Sequence, residues 1–223
     1  MVDVAKNLRE VLSHLPEGVG LVAISKFHPE EDILAAYAEG QRVFGESHEQ
    51  ELRQKAEDLP KDIKWHFIGH LQTNKVKYIA PYIAMIEAVD TLKLLQEINK
   101  QAAKHGRVID VLLELHIAME EAKSGFTLDG CREMLAEGAW RELHNVHICG
   151  LMMMASNVPD EQQIRREMLT AADFFDEIKA KYFADDPRFA VRSWGMSHDY
   201  TIAVTCRSTL VRVGTAIFGP RAY

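Results

Sequence analysis

The sequence predicts a parallel (β/α)8 barrel with an extra helix ahead of its first strand. Eight short apolar runs alternate with amphipathic segments along the whole chain, the pattern of strands joined by helical crossovers. Several of the runs are apolar on both faces, as in Gly20-Leu21-Val22-Ala23-Ile24 and Val111-Leu112-Leu113-Glu114-Leu115. Strands covered by helices on both sides read this way. No Pro/Gly/Ser linker, low-complexity stretch or repeat divides the chain, so residues 1–223 are expected to form one domain.

The elements follow in order. Asp3–His14 is the leading helix and Val19–Ser25 the first strand. Glu30–Glu39 comes next, opened by Pro29, a residue suited to a helix's first turn. Strands at Arg42–Gly45 and Trp65–Gly69 flank a helix at His48–Glu57, and a short helix at Asn74–Ile79 leads to the strand Met85–Ala88. Thr91–His105 carries Leu92, Leu95, Ile98 and Ala102 at helical spacing, capped by Asp90 or Thr91 and closed by Gly106. The strand Asp110–His116, the helix Leu128–Glu137 ending at Gly138, and the strand His147–Met153 follow. The longest helix, Asp160–Phe183, aligns Met168, Ala171, Ala172, Phe175 and Ile178. The strand Val191–Ser193, a short helix at Tyr200–Cys206 and a last strand at Val211–Phe218 complete the set. No helix is expected after that strand, so the leading helix should cover the gap. A doubly wound open sheet is the alternative; strand count and chain length favour the barrel.

Composition removes several classes of function. The net charge of -7, from 33 acidic and 26 basic residues, is opposite to that of a general nucleic-acid binder. Arg165 and Arg166 form the nearest approach to a basic block, and Glu161 and Glu167 offset them. Three cysteines, Cys131, Cys149 and Cys206, without a CxxC pair, fit a reducing cytosol rather than a disulfide framework. The charged N-terminus is no signal peptide, and no run approaches the ~20 apolar residues that span a bilayer. A soluble, cytoplasmic protein is expected.

A barrel's functional residues lie at the C-terminal ends of its strands. The first strand ends at Lys26. On this pattern alone, a lysine turning into solvent is the simpler reading; a Schiff-base lysine would need partial desolvation. The last two strands say more. Trp194-Gly195-Met196-Ser197 supplies a glycine and a hydroxyl, and Arg212 lies within an apolar run followed by Gly214-Thr215. Barrels bind phosphate with the loops after strands seven and eight, and the helix opening near Asp199 is expected to favour an anion. His66 and His70 lack a supporting ligand at a metal-binding spacing, as do His144 and His147, so no metal site is expected. The dinucleotide and P-loop fingerprints are absent, and Met152–Met154 reads as core.

Five blocks carry a family resemblance: Val22 to Lys26, Phe44-Gly45-Glu46-Ser47, Trp65-His66-Phe67-Ile68-Gly69-His70-Leu71-Gln72-Thr73-Asn74-Lys75, Gly195 to Asp199, and Ser208 through Gly219. They resemble the pyridoxal phosphate homeostasis proteins, also called the proline synthetase co-transcribed homologue or YggS-like family. The matches run in order from residue 22 to Tyr223. The resemblance implies the alanine racemase N-terminal-domain barrel, with pyridoxal 5′-phosphate linked to Lys26. It places Arg212 opposite the pyridine nitrogen, Ser197, Gly214 and Thr215 at the phosphate cup, and Met196 among the cofactor-binding residues. Two positions depart from the family pattern: Ser47 stands where Asn is usual, and Arg207 where Gly is usual. If position 207 needs a positive φ, arginine is strained there; if not, it adds a cation near the phosphate entrance.

What the resemblance implies about function is a cofactor carrier without evident catalysis, serving intracellular vitamin B6 homeostasis. Apo enzymes that use the cofactor are its expected recipients. Racemases of this fold add a β domain whose tyrosine is the second acid/base, and this chain stops at Tyr223. A low-activity amino-acid racemase is the alternative, with His66, His70 or His198 as the second acid/base. A Schiff-base aldolase barrel is a weaker third, since its lysine usually lies on a later strand. A monomer is expected.

Overall fold

The computed structural model describes residues 2–118 and 124–220; Tyr223, with which the family match ends, lies outside them. Eight parallel strands close into a barrel in sequence order. They are β1 (Gly20–Ile24), β2 (Val43–Glu46), β3 (Lys64–Phe67), β4 (Met85–Val89), β5 (Ile109–Leu115), β6 (Val146–Met153), β7 (Val191–Ser193) and β8 (Leu210–Val213). The barrel closes through β1 and β8, with Gly20 opposite Leu210 and Ala23 opposite Val213. The doubly wound alternative is thereby set aside.

Outside the strands run α1 (Val4–Ser13), α2 (Glu30–Ala38), α3 (Glu49–Asp58), α4 (Val76–Ile79), α5 (Leu92–Lys104), α6 (Leu128–Glu137), α7 (Glu161–Tyr182), α8 (Tyr200–Thr205) and α9 (Thr215–Phe218). Local chemistry sets their ends. The Thr91 side chain accepts from Leu94 N at 3.2 Å to open α5, and Gly138, at φ 79°, closes α6. Most helices turn apolar side chains onto the strands, whereas α3 buries Glu49 and Lys55 beside Leu52. On α7, Ile164, Met168, Ala171, Phe175 and Ile178 are buried, each large side chain contributing about 1.5–3 kcal/mol.

The end of the chain departs from the expected Val211–Phe218 strand. β8 stops at Val213, the chain turns at Gly214, and Thr215–Phe218 forms α9, with Ile217 and Phe218 N–H groups both donating to Gly214 O. A short apolar run does not distinguish a buried strand from a buried helix, and Ala216-Ile217-Phe218 is such a run. A helix therefore does follow the last strand. The leading helix still covers this corner: Asn7 Nδ2 donates to Ile217 O at 3.0 Å, and Val4, Leu8 and Val11 of α1 are buried. No helix among the described residues is long and apolar enough to cross a membrane.

Candidate functional site

The C-terminal ends of the strands surround a cavity of about 380 Å3. Lys26, Met196, Ser197, Arg212, Gly214 and Thr215, the six residues singled out from the sequence, all line it. They come from the two ends of the chain, and the pairing of β1 with β8 makes them neighbours. Ser47, Gly69, His70, Glu114, Ser124, Met154 and His198 complete much of the wall.

The backbone at the β7 and β8 ends is shaped for close approach. Gly195 has φ 96°, and a Cβ there would lie 2.5 Å from Ala203 Cβ, so no other residue fits that turn. At Gly214 a Cβ would lie 3.1 Å from Ile24 O, which lets the β8 end lie against β1. Ser197 Oγ accepts from Gly214 N at 3.0 Å, tying the two ends together and leaving the Ser197 hydroxyl hydrogen free to be donated to an anion. Met196 borders the cavity, but its own N–H goes to Asp199 Oδ1. Asp199 also stands, buried, at the start of α8. The helix start expected to favour an anion therefore carries a carboxyl group, and Ser197, Gly214 and Thr215 line the cavity beside it.

Arg212 is 3% exposed and fixed at several points. Its Nη1 donates to Ser193 O at 2.7 Å and Ser193 Oγ at 2.6 Å, and Nη2 donates to Met153 O at 2.9 Å. Glu87 on β4 sits 3.8 Å from Nη1 and accepts from Ser193 Oγ at 2.6 Å. On its other side Glu87 meets His66 Nδ1 at 2.7 Å. Burial pushes the Glu87 carboxyl up, but His66, the Arg212 charge and Ser193 outweigh it and hold the group below its ordinary range. Burial alone lowers Arg212. A buried guanidinium with a carboxylate and three oxygens around it stays charged and immobile. Nearer the mouth, burial raises Glu114, partly countered by the bond from Ser124 Oγ at 3.0 Å.

Behind Lys26 lies a second polar cluster. Lys55 of α3, 5% exposed, reaches Ser25 O, Glu46 Oε1 and Glu51 Oε1 at 2.9, 2.8 and 2.7 Å. Ser25 Oγ donates to the same Glu46 oxygen at 2.6 Å. Sequence reasoning missed Glu87, Ser193, Glu114, Glu46 and Lys55. Each is a single polar residue in a strand or an ordinary-looking helical lysine, and its partner comes from another element.

Several expectations change. His66 lies below the cavity on Glu87 and is not among its lining residues, whereas His70 and His198 do line it. His70 pairs with Asp90 at 3.2 Å. Arg207 adopts φ 63°, and its guanidinium turns outward to Asp173 and to Asp176 (2.7 Å) on α7. The strain is therefore present and no cation is added at the phosphate entrance. Ser47 lines the cavity, and its backbone and Cβ crowd position 69, where an added Cβ would come within 2.7 Å of Ser47 Cβ; nothing in the structure explains serine in place of asparagine.

His147 is isolated only along the sequence. At the N-terminal end of the barrel it contacts Asp110 at 2.9 Å and Asp186 at 3.0 Å, with Cys149 within reach of the same group. These atoms already satisfy one another, and the Cys149 thiol, raised by burial, donates to Val111 O at 3.4 Å. The group therefore reads as structural.

Fold and site together define a class: a (β/α)8 barrel with a lysine just beyond its first strand that shares one cavity with the ends of β7 and β8. The family model for the alanine racemase N-terminal domain matches residues 2–222. Pyridoxal phosphate homeostasis proteins are similar along nearly the whole chain. That of Aquifex aeolicus is 37% identical over 91% of this chain and 87% of its own, and that of Vibrio alginolyticus 35% identical over 100% of both. The structure of PipY from Synechococcus elongatus with pyridoxal phosphate bound is 33% identical, with a TM-score of 0.86, over 97% of this chain and 100% of that one. Alanine racemase from Streptomyces coelicolor, 20% identical with a TM-score of 0.77 over 97% of this chain and 58% of that one, shares the fold. The chain belongs to the pyridoxal phosphate homeostasis protein family, within the alanine racemase N-terminal-domain class.

Proposed function

We propose that this protein holds pyridoxal 5′-phosphate as a Schiff base at Lys26 and acts in cofactor homeostasis as a carrier rather than an enzyme. The observation that carries the reading is the convergence of Lys26, Arg212, Ser197, Gly214 and Thr215 on one cavity, in a chain whose relatives bear that name. The residues present fit the group: a primary amine for the aldehyde, a hydroxyl and a glycine-opened backbone for the phosphate, and a buried guanidinium for the ring nitrogen. When bound, the cofactor supplies an aldehyde, with which the Lys26 amine condenses with loss of water.

Each residue has a task that follows from its surroundings. Lys26 must offer a neutral amine, which partial desolvation at a strand end favours. The Ser197 hydroxyl, held in place by the Gly214 N–H, orients the phosphate together with Thr215. Arg212, locked by Ser193 and Met153, offers only donors, so it leaves a ring nitrogen unprotonated and weakens the ring as an electron sink. That favours holding over catalysis. Residues 1–223 work as one domain and one monomer, and apo enzymes that use the cofactor are the recipients.

A low-activity amino-acid racemase is the second reading, and Glu114 favours it. This raised carboxyl lines the cavity with His70 and His198, and such a group is the kind that serves as an acid/base partner for Lys26. Reduction of the loaded protein with borohydride, followed by peptide mapping, should place the cofactor on Lys26, and Lys26→Ala should abolish both the adduct and the visible absorption band. Persistence of either defeats the lysine assignment. Incubation with single L-amino acids should yield no D-isomer; turnover at ordinary enzymatic rates would defeat the carrier reading.

A further inference from the structure

The sheet releases the chain just before Lys26. The last rung is Ser25 N donating to Gly45 O at 3.1 Å. A four-residue turn follows, in which His28 N donates back to Ser25 O at 3.1 Å. Lys26 and Phe27 are its central residues, and Phe27 has φ 65°. A turn with positive φ at its third position calls for glycine or asparagine; an aromatic residue disfavours it. Such a conformation persists only where the surroundings over-determine it.

The surroundings here are the Lys55 cluster. An ammonium has three hydrogens, and Lys55 directs them to Ser25 O, Glu46 Oε1 and Glu51 Oε1. Glu51 Oε1 in turn accepts from Phe27 N at 2.7 Å. The peptide groups before and after Lys26 are thus both held from one buried nitrogen, the first directly and the second through Glu51. Glu46, wholly buried, fixes that nitrogen from the β2 side.

We propose that Lys55 is a positioning residue: through Ser25 O and Glu51 it enforces the left-handed turn at Phe27 and so presents Lys26 to the cavity. This inference rests on the reading of Lys26 as the cofactor's attachment point. It assigns a task to a helix residue outside the cavity, and it explains why a phenylalanine is tolerated where glycine would serve.

The test exploits that last point. In Lys55→Met the turn loses its hub, and the pyridoxal phosphate concentration giving half-maximal borohydride-trapped adduct at Lys26 should rise about tenfold or more. Adding Phe27→Gly to Lys55→Met should recover much of that loss, because glycine adopts positive φ without penalty. A merely structural Lys55 would not be rescued in this way. Wild-type half-saturation in Lys55→Met, or a loss that Phe27→Gly leaves untouched, overturns the proposal. Should Lys55→Met fail to fold, Glu51→Ala removes the acceptor of the Phe27 N–H and should weaken attachment, while Glu51→Gln retains an acceptor and should not; equal behaviour of the two overturns the proposal. Hydrogen exchange in the cofactor-free protein separates this inference from the cofactor reading. The Phe27 amide should be protected in the wild type and unprotected in Glu51→Ala, and unchanged protection counts against the clamp. Absence of any Lys26 adduct in the wild type counts against the cofactor reading itself.

Discussion

Arg207 and Gly195 sit twelve residues apart in the chain, both with positive φ, 63° and 96°, and they answer to different constraints. Arg207 follows the end of α8, where a left-handed residue commonly closes a helix and glycine is usual. The conformation costs an arginine about 1–2 kcal/mol, while its exposed pairs with Asp173 and Asp176 return about 0.2–1 kcal/mol each. Arg207→Gly removes the strain and the pairs together and should leave stability near the wild type. Arg207→Ala keeps the strain and loses the pairs, so it should fall below the glycine variant by about 1 kcal/mol in urea unfolding. Equal stabilities would mean that this backbone position carries no strain. At Gly195 space is the further limit, since a Cβ meets Tyr200 Cα at 3.0 Å as well as Ala203 Cβ. Gly195→Ala should therefore cost about 1–3 kcal/mol and also raise the half-saturating cofactor concentration, because the displaced β7 end carries Ser197.

The contact of β1, β2 and α3 has a charge problem of its own. Lys55 is the cation that Glu46 and Glu51 share, at 2.8 and 2.7 Å, and it can neutralise one of them. Burial, against the countering pull of Lys55 and Ser25, pushes Glu46 up to about 7. A carboxyl raised in the folded state binds its proton more tightly there than in the unfolded chain, so stability is full below the unfolded value, near 4.5, and falls as pH rises towards 7. The size of that fall is on the order of 3 kcal/mol. Glu46→Gln cannot ionise; between pH 4.5 and 8 the wild type should lose about that much relative to the variant, and parallel stability curves would refute the assignment. None of this was legible in the sequence, where Glu46 is one acid at a strand end and Lys55 one lysine among the charges of α3. The eight strands were legible because short continuous apolar runs recur between amphipathic helical segments; barrel topology pointed to the Lys26, Ser197 and Arg212 ends, and only the family resemblance raised Lys26 above a solvent lysine. The tail of β8 was misread because apolar character alone does not choose between strand and helix. The His66–Glu87–Ser193–Arg212 chain joins four strands, and no single-strand pattern encodes partners that meet across a lumen.

At the scale of the whole molecule, the barrel separates two polar systems, and that separation is testable. At the C-terminal end Arg212 and its partners form the floor of the cavity; at the other end His147 joins Asp110 and Asp186. Barrels of this kind keep function on the first face and stability on the second. His147→Ala removes two contacts to carboxylates whose side chains are 48% and 29% exposed, so water can replace much of what is lost. The expected cost is about 1–3 kcal/mol, with half-saturation by the cofactor unchanged. Arg212→Met deletes a charge among groups that water does not reach, leaving Ser193 O and Met153 O without their donor and Glu87 without its neighbouring cation. Breaking a buried pair from one side costs about 3–5 kcal/mol, and here cofactor attachment should weaken as well. Measuring chemical unfolding and cofactor titration on both variants separates the two effects. If His147→Ala weakened attachment in proportion to its loss of stability, the two ends would be coupled through the lumen, and the division of labour drawn here would be wrong.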